Sequence, residues 1–198
     1  MNNNRKIIFA TKNLGKLKEV RNIIGEKEIE LISLNEFNNV GEIVEDGNSF
    51  EENAVIKAKH VYHLLGLPVI ADDSGLVVEQ LGGEPGIYSA RYAGENATDE
   101  DNNKKLISKL SFFPKPHRAK FVCSAVYIDG KGIVKAQGEI LGQILHEPKG
   151  TNGFGYDPLF LPDGYDKTTA ELDMEEKNKI SHRSKAFKSL FKMILKGE

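Results

Sequence analysis

Two long β-type segments, "HRAKFVCSAVYID" (117–129) and "GIVKAQGEILGQIL" (132–145), are joined by nothing more than the turn "DGKG" (129–132). Asp-Gly between two such runs reads as a tight antiparallel hairpin. Before it, the chain alternates strand and helix patterns. Residues 5–10 form a buried-type strand. Leu14, Leu17, Val20, Ile23 and Ile24 then recur at helical spacing up to a stop at Gly25, and "EIELISL" (28–34) is a second strand. A helix follows from Ser49, with Glu52 completing a capping box, to Gly66. "LPVIADDSG" is a short buried strand that ends in two aspartates and a turn, and "LGGEPGIYSARYAGE" is a glycine-rich loop. Thr98 and Asp101 open a helix that runs to about Leu110. "EPKGTNGFGYDP" is another loop, and a last helix extends from near Ser181 to near Lys196. An antiparallel hairpin set into alternating strands and helices gives an α/β fold with a mixed sheet. No repeat of 20–50 residues and no low-complexity linker interrupts residues 1–198. They read as a single domain, whose long glycine-rich loops suggest two lobes around a central cleft.

Charge narrows the partners. With 27 basic and 29 acidic residues in 198, the net charge is −2, so no global field draws the chain to nucleic acid or to an anionic membrane. A polyanionic small molecule would need a local group of lysines and arginines. No apolar run approaches the ~20 residues of a membrane span. The opening "MNNNRKIIFATKN" is too short in apolar residues for a signal peptide, which makes the cytoplasm the expected location. The one cysteine, Cys123, lies in an apolar strand pattern and reads as core.

Five stretches carry the candidate chemistry. In "TKNLGK" (11–16), Thr11, Asn13 and Lys16 surround a helix N-terminus, whose free N–H groups and dipole attract anions. A P-loop would need glycine at 10 and Ser or Thr at 17. Ala10 and Leu17 exclude it, leaving generic anion binding or a plain Asn13 cap. In "VIADDSG", Asp72 and Asp73 leave the end of an apolar strand side by side, where α/β sheets gather their sites. Adjacent carboxylates repel unless a cation lies between them or one is protonated, and a hard divalent ion would suit them; the other reading is a turn with capping aspartates. "GEIVEDG" offers Glu42, Glu45 and Asp46, while Asn53 and Lys57 share one face of the next helix; taken alone these read as solvated surface, and they matter only if the fold brings them to Asp72 and Asp73. In "GTNGFGYDP" the glycines allow close approach, and Phe154 either stacks on a flat ring or plugs the core. In "EEKNKISHRSKA", His182 and Arg183 place cations in a helix's first turn, against its dipole, as donors to a ligand would; the other reading is an ordinary surface helix. His60 and His63 lack a metal-binding context and read as structural.

Taken together, "TKNLGK", "EDGNSFEENAVIKAK", "ADDSGLVVEQLGGEPGIYSARYAGE", "GFGYDP" and "SHRSKA" resemble the inosine triphosphate pyrophosphatases, the family that hydrolyses dITP, XTP and other non-canonical purine triphosphates. The resemblance spans residues 7 to 187, with Lys12 standing where the family often has glycine. It implies a long twisted mixed sheet with flanking helices in two lobes, a homodimer, Mg²⁺ as cofactor, and cleavage of the triphosphate to monophosphate and pyrophosphate. By motif, Thr11, Lys12, Asn13, Leu14, Gly15 and Lys16 would hold the triphosphate. Asp73 would be the general base, assisted by Lys57, and would share the metal with Glu45, with Asp72 a further candidate ligand. Ser74, Phe154, Gly155, Tyr156, Asp157, Lys177, His182 and Arg183 would contact substrate. Donors from Lys177, His182 and Arg183 suit a 6-oxo group and not the 6-amino group of adenine. Rejection of guanine would need a further wall at the 2-position. The competing classes are a pyrophosphatase for other modified nucleotides and a non-catalytic nucleotide sensor.

Overall fold

The computed structural model describes residues 5–25, 29–38 and 40–196. Glu28, the expected first residue of the second strand, Asn39 of the acidic stretch and Met1–Asn4 of the opening lie outside them. The strands are β1 (Arg5–Phe9), β2 (Ile29–Ser33), β3 (Val69–Val78), β4 (His117–Asp129), β5 (Gly132–Ile144) and β6 (Phe160–Pro162). The helices are α1 (Leu14–Ile24), α2 (Phe50–Leu65), α3 (Asp99–Leu110), α4 (Met174–Ile180) and α5 (His182–Lys196). The strands form one mixed sheet in the order β2-β1-β3-β4-β5-β6. β1 pairs in parallel with β2 and β3, and β5 pairs antiparallel with β6. The expected α/β class and mixed sheet therefore hold. No helix among the described residues is long and apolar enough to cross a membrane.

The chain divides into two compact units. The first comprises 1–73, 123–138 and 183–198, the second 74–122 and 139–182. In the first unit, side-chain alternation along β3 and β4 feeds two cores. Ile70, Cys123, Ala125 and Tyr127 pack with Leu17 and Val20 of α1 and Phe187 and Leu190 of α5. Val69, Ala71, Val126 and Ile128 pack with Ala54, Ala58 and Val61 of α2. In the second unit, Leu76, Val78, Phe121 and Ile140 surround Leu106 and Leu110 of α3 together with Tyr156, Leu159 and Phe160.

Five expectations change. β3 does not stop at the aspartates but runs ten residues to Val78. "LGGEPGIYSARYAGE" is not all loop, since Gly86–Arg91 is a 3-10 helix. Before Ser181 lies α4, capped by Asp173 with Glu176 closing the box; the "DMEE" pattern carries that signal. At α2, Ser49 accepts from Glu52 N–H as expected, but the Glu52 carboxylate accepts from Asn48 N–H (2.7 Å), so the reciprocal arm is shifted by one residue. In α1 the expected apolar stripe begins at Leu17, because Leu14 is 67% exposed.

Gly75 explains why β3 keeps a glycine in its interior. A Cβ there would lie 2.3 Å from Ser89 Oγ and 2.6 Å from the Gly86 carbonyl oxygen. Ser89 Oγ in turn accepts from Leu76 N–H (2.9 Å) and donates to Gly86 O (2.6 Å), so the intruding methyl breaks a small network. Gly75→Ala is expected to cost about 2 kcal/mol, within the range for overpacking. For a chain of this length that corresponds to a fall of roughly 4–8 °C in Tm, which differential scanning calorimetry would measure.

Candidate active site

β3 carries Asp72 and Asp73 in mid-strand, so their side chains point to opposite faces of the sheet. They are not two carboxylates facing one cation, as their adjacency in sequence suggested. Each has its own partners in the first unit.

Asp72 is buried with cations. Lys16 Nζ lies 3.0 Å and Arg183 Nε 3.5 Å from Asp72 Oδ2. Arg183, itself 2% exposed, also forms a short ion pair with buried Glu19 of α1. The two cations balance the two carboxylates. Burial alone would push the Asp72 carboxyl up, but Lys16, Arg183 and Lys57 overrule it and hold it well below the ordinary carboxylate range. Burial, aided by Asp72, pushes the Cys123 thiol far up, so its expected role as core packing stands and thiolate chemistry is disfavoured.

Asp73 faces α2. Asn53 Nδ2 donates to Asp73 Oδ2 (3.2 Å), and Lys57 Nζ lies 3.5 Å from Asp73 Oδ1. The same ammonium donates to Glu45 Oε2 at 2.7 Å. Asn53 Oδ1 accepts from Gly47 N–H (2.9 Å), which ties the acidic loop to α2. Of the three acidic residues expected there, Glu45 reaches the cluster while Glu42 and Asp46 stay exposed. Burial raises the Asp73 carboxyl above its ordinary value, and Lys57 and Lys16 do not bring it back. Burial opposes the charge on Lys57, yet Asp73, Glu45 and Asp72 outweigh it and raise its pKa. This face holds two carboxylates against one ammonium, a net negative charge.

"TKNLGK" forms the start of α1. Asn13 Oδ1 accepts from Lys16 N–H (3.0 Å) and Thr11 Oγ1 accepts from Asn13 N–H (3.1 Å), so Asn13 does cap the helix. Lys12, Asn13 and Leu14 remain exposed and Gly15 partly so.

The second unit gathers the other candidates. Asp157 is its hub. Its carboxylate accepts from Phe154 N–H (2.9 Å), from Thr169 Oγ1 (2.8 Å) and from Lys177 Nζ (2.5 Å). A Cβ on Gly153 (φ +77°) would fall 2.1 Å from Asp157 Oδ2, so this glycine makes room for the loop's own carboxylate. Lys177 Nζ also lies 5.4 Å from the centre of the Phe154 ring. His182 stacks on Phe121 (4.9 Å, 13°). Tyr156 is buried and donates its hydroxyl to Ser89 O (2.9 Å), a structural anchor. Ser74 is a partly exposed residue of β3. Asp157, Lys177, Phe154 and His182 thus belong to the second unit, and Arg183 to the first.

No local sequence signal singles out Thr169, Asp99 or Asn103 as functional, and Asn53 stands out only as a neighbour of Lys57 on one helix face. Glu19 had a signal: it falls on the same face of α1 as Lys16 and Val20, an acidic residue in a buried stripe.

The comparisons with known proteins agree with this architecture. The sequence matches the Ham1 family over residues 7–193. The chain belongs to the Ham1 family. Among its relatives, it is 49% identical over 183 residues to a dITP/XTP pyrophosphatase of Geobacter sulfurreducens, covering 91% of this chain and 92% of that one. It is 47% identical over 192 residues to the Bacillus subtilis dITP/XTP pyrophosphatase, covering 96% and 97%. Its fold is similar to that of a HAM1 protein from Coxiella burnetii (TM-score 0.88, 39% identity, 97% of this chain and 99% of the other). It is equally similar to the Staphylococcus aureus Ham1 protein (TM-score 0.87, 40% identity, 98% and 100%).

The opposite environments of the two aspartates predict opposite responses to the same change. Asp72→Asn leaves Lys16 and Arg183 short of a buried counter-charge and should cost about 3 kcal/mol, or roughly 6–12 °C in Tm at pH 7. Asp72 has a depressed folded pKa. Its stabilisation is therefore present above the unfolded value of 3.8 and lost as pH falls through the folded one, so the gap to the parent should narrow below that value. Asp73 has a raised folded pKa, and its ionisation costs stability as pH rises. Asp73→Asn should leave Tm at pH 8 equal to the parent's or higher. Thermal melts across pH 3–8 would check both.

Proposed function

We propose that this Ham1-family chain is a nucleoside-triphosphate pyrophosphatase that hydrolyses non-canonical purine triphosphates (ITP, dITP, XTP) to the monophosphate and pyrophosphate. The observation that carries this reading is the Glu45–Lys57–Asp73 cluster, in which Lys57 and Asp73 are buried. It is a carboxylate with a raised pKa beside an ammonium, in a chain nearly half identical to dITP/XTP pyrophosphatases over more than 90% of its length.

In this mechanism Asp73 orients a water molecule for in-line attack on the α-phosphorus and accepts its proton at a carboxylate oxygen. A carboxylate of raised pKa is better matched to that task than an ordinary one. Asn53 holds Asp73 in place. Lys57 and Lys16 offset the negative charge of the triphosphate and of the departing pyrophosphate. Thr11, Lys12, Asn13, Leu14 and Gly15 surround the same phosphates, with exposed N–H groups at the start of α1. Asp72, on the other face of β3, positions Lys16 and does not act as base or ligand.

The acidic face fits Mg²⁺. Its donors are oxygens only, Glu45 and Asp73 already direct theirs at one cation, and its net charge is negative; Mg²⁺ characteristically takes one or two carboxylates and completes its shell with water and phosphate oxygens. When bound there, Mg²⁺ would supply neutralisation of phosphate charge and a lowered pKa for a coordinated water.

For the base, Phe154 provides a stacking surface and Lys177 and His182 provide donors to a 6-oxo group, with Gly155, Tyr156 and Asp157 shaping the loop and Ser74 in contact with substrate. Arg183 adds donors as well, although its ion pairs with Glu19 and Asp72 give it a share in positioning Lys16. The reading treats residues 1–198 as one catalytic domain. It carries with it the homodimer and the cytoplasmic, pool-cleaning role that the family resemblance implies.

A panel of ITP, dITP, XTP, ATP and GTP, with and without Mg²⁺ and scored by released pyrophosphate, tests the assignment. The 6-oxo purines other than GTP should be hydrolysed with Mg²⁺, and ATP should be slower by a factor of ~10⁴, the scale at which unpaired buried donors discriminate. Asp73→Asn should lower kcat by about 10²–10⁴. Comparable turnover of ATP, or full activity without Asp73, would sink the proposal.

A further inference from the structure

Asp99 and Asn103 have no task in the mechanism above, yet both act on one residue of the Phe154 loop. They lie four apart on α3 and so share a face. Asp99 Oδ2 accepts from Gly155 N–H at 2.6 Å, and Asn103 Nδ2 donates to Gly155 O at 3.0 Å. Both main-chain polar groups of Gly155 are thus held by α3. Its φ is +63°, a conformation glycine enters freely and leaves as freely, so nothing intrinsic fixes it. On the other side of Phe154, its own N–H is held by Asp157 Oδ2 (2.9 Å). The peptide group before the Phe154 Cα is therefore anchored from within the loop; the one after it is held weakly from within the loop, where Phe154 O accepts from Asp157 N–H (3.3 Å), and at its N–H from α3. Fixing both peptide planes fixes the direction in which the Cα–Cβ bond carries the ring.

We propose that Asp99 and Asn103 are positioning residues that aim the Phe154 ring at the purine. The inference rests on the stacking role given to Phe154 in the proposed function and names the residues that set its geometry. Stacking depends on the ring lying parallel to the base, so a loop that wanders loses part of a contact whose strength is independent of the base's identity. Loss of the clamp should weaken capture of substrate and leave the phosphate chemistry of the first unit unaltered.

Donor and acceptor roles give the test its sign. Asp99→Asn keeps an oxygen acceptor for Gly155 N–H. Asn103→Asp is equally isosteric but puts a carboxylate against the Gly155 carbonyl. The ordinary role of acidic residues in a helix's first turns, favourable interaction with the helix dipole, ranks these variants the other way. It makes Asp99→Asn the harmful change and Asn103→Asp a harmless one. Steady-state kinetics with dITP and Mg²⁺, together with amide hydrogen exchange at Gly155 and a thermal melt, separate the two.

Asp99→Ala and Asn103→Asp should raise KM about tenfold, the scale of one hydrogen bond or part of a stacking contact, with kcat within about twofold of the parent. Exchange at Gly155 should quicken in both, Tm should stay near the parent's, and Asp99→Asn should restore the parent KM. Phe154→Ala, in parallel, reports on the stacking role itself. If Phe154→Ala raises KM while Asp99→Ala and Asn103→Asp do not, the clamp is refuted and the stacking role stands. If Phe154→Ala has no effect on KM, the stacking role fails and the inference falls with it. A KM rise in Asp99→Asn but not in Asn103→Asp would assign both residues to the helix dipole and overturn the proposal.

Discussion

The two-residue alternation of β3 is the constraint on which the first unit turns. Because successive side chains of a strand leave opposite faces, Asp72 and Asp73 can be neighbours in sequence without repelling each other. Asp72 enters the layer built by α1 and α5 and is neutralised there by Lys16 and Arg183. Asp73 enters the layer built by α2 and is left short of positive charge. One strand thus supplies a carboxylate whose charge is neutralised and which ties elements together, and an underpaired one whose ionisation is costly. Buried ion pairs add little net stability over an apolar core, but removing one partner of such a pair is expensive. The Lys16–Asp72–Arg183–Glu19 group is therefore better understood as holding Lys16 and α1 in a defined place than as a source of stability.

The second unit solves a comparable problem with one carboxylate. Asp157 folds back over Gly153 to hold the Phe154 amide, Thr169 and Lys177, so an irregular glycine-rich loop gains fixed points without a strand or helix of its own. Gly150 and Gly153, which look like room for a ligand, are in this instance room for the protein itself. α3 adds the second anchor at Gly155.

Much of this could be read from the chain. The hairpin at Asp129, the caps at Asn13, Ser49 and Thr98, and the stop at Gly25 are local signals, decided by a few adjacent residues, and the structure reproduces them. The chemistry of the separate motifs was legible too, as was their membership of one family. What failed was non-local or depended on direction. "ADDSG" looks like a strand end because Asp, Ser and Gly favour turns; the salt bridges of Lys16 and Lys57 make the carboxylates tolerable in mid-strand, and no window of a few residues contains those partners. Leu14 fits the helical spacing but sits at the first turn, beyond the reach of the core. Glu19, Asn53, Asp99 and Asn103 act through contacts 6 to 164 residues away, or through a single backbone group, and residue type alone does not announce that. α4 is the exception: its capping box was present in "DMEE" and only its shortness hid it.

The division of labour between the aspartates can be observed carboxyl by carboxyl. In metal-free protein labelled with ¹³C at the aspartate carboxyl groups, the resonances of Asp72 and Asp73 can be assigned by their loss in Asp72→Asn and Asp73→Asn and followed by NMR as pH is lowered. Asp73 should titrate above the ordinary aspartate value of 3.8, and Asp72 should remain ionised well below it, each in a separate step. Two carboxyls that titrate together, the proton shared between them, would mean that they face one site after all and would contradict the account.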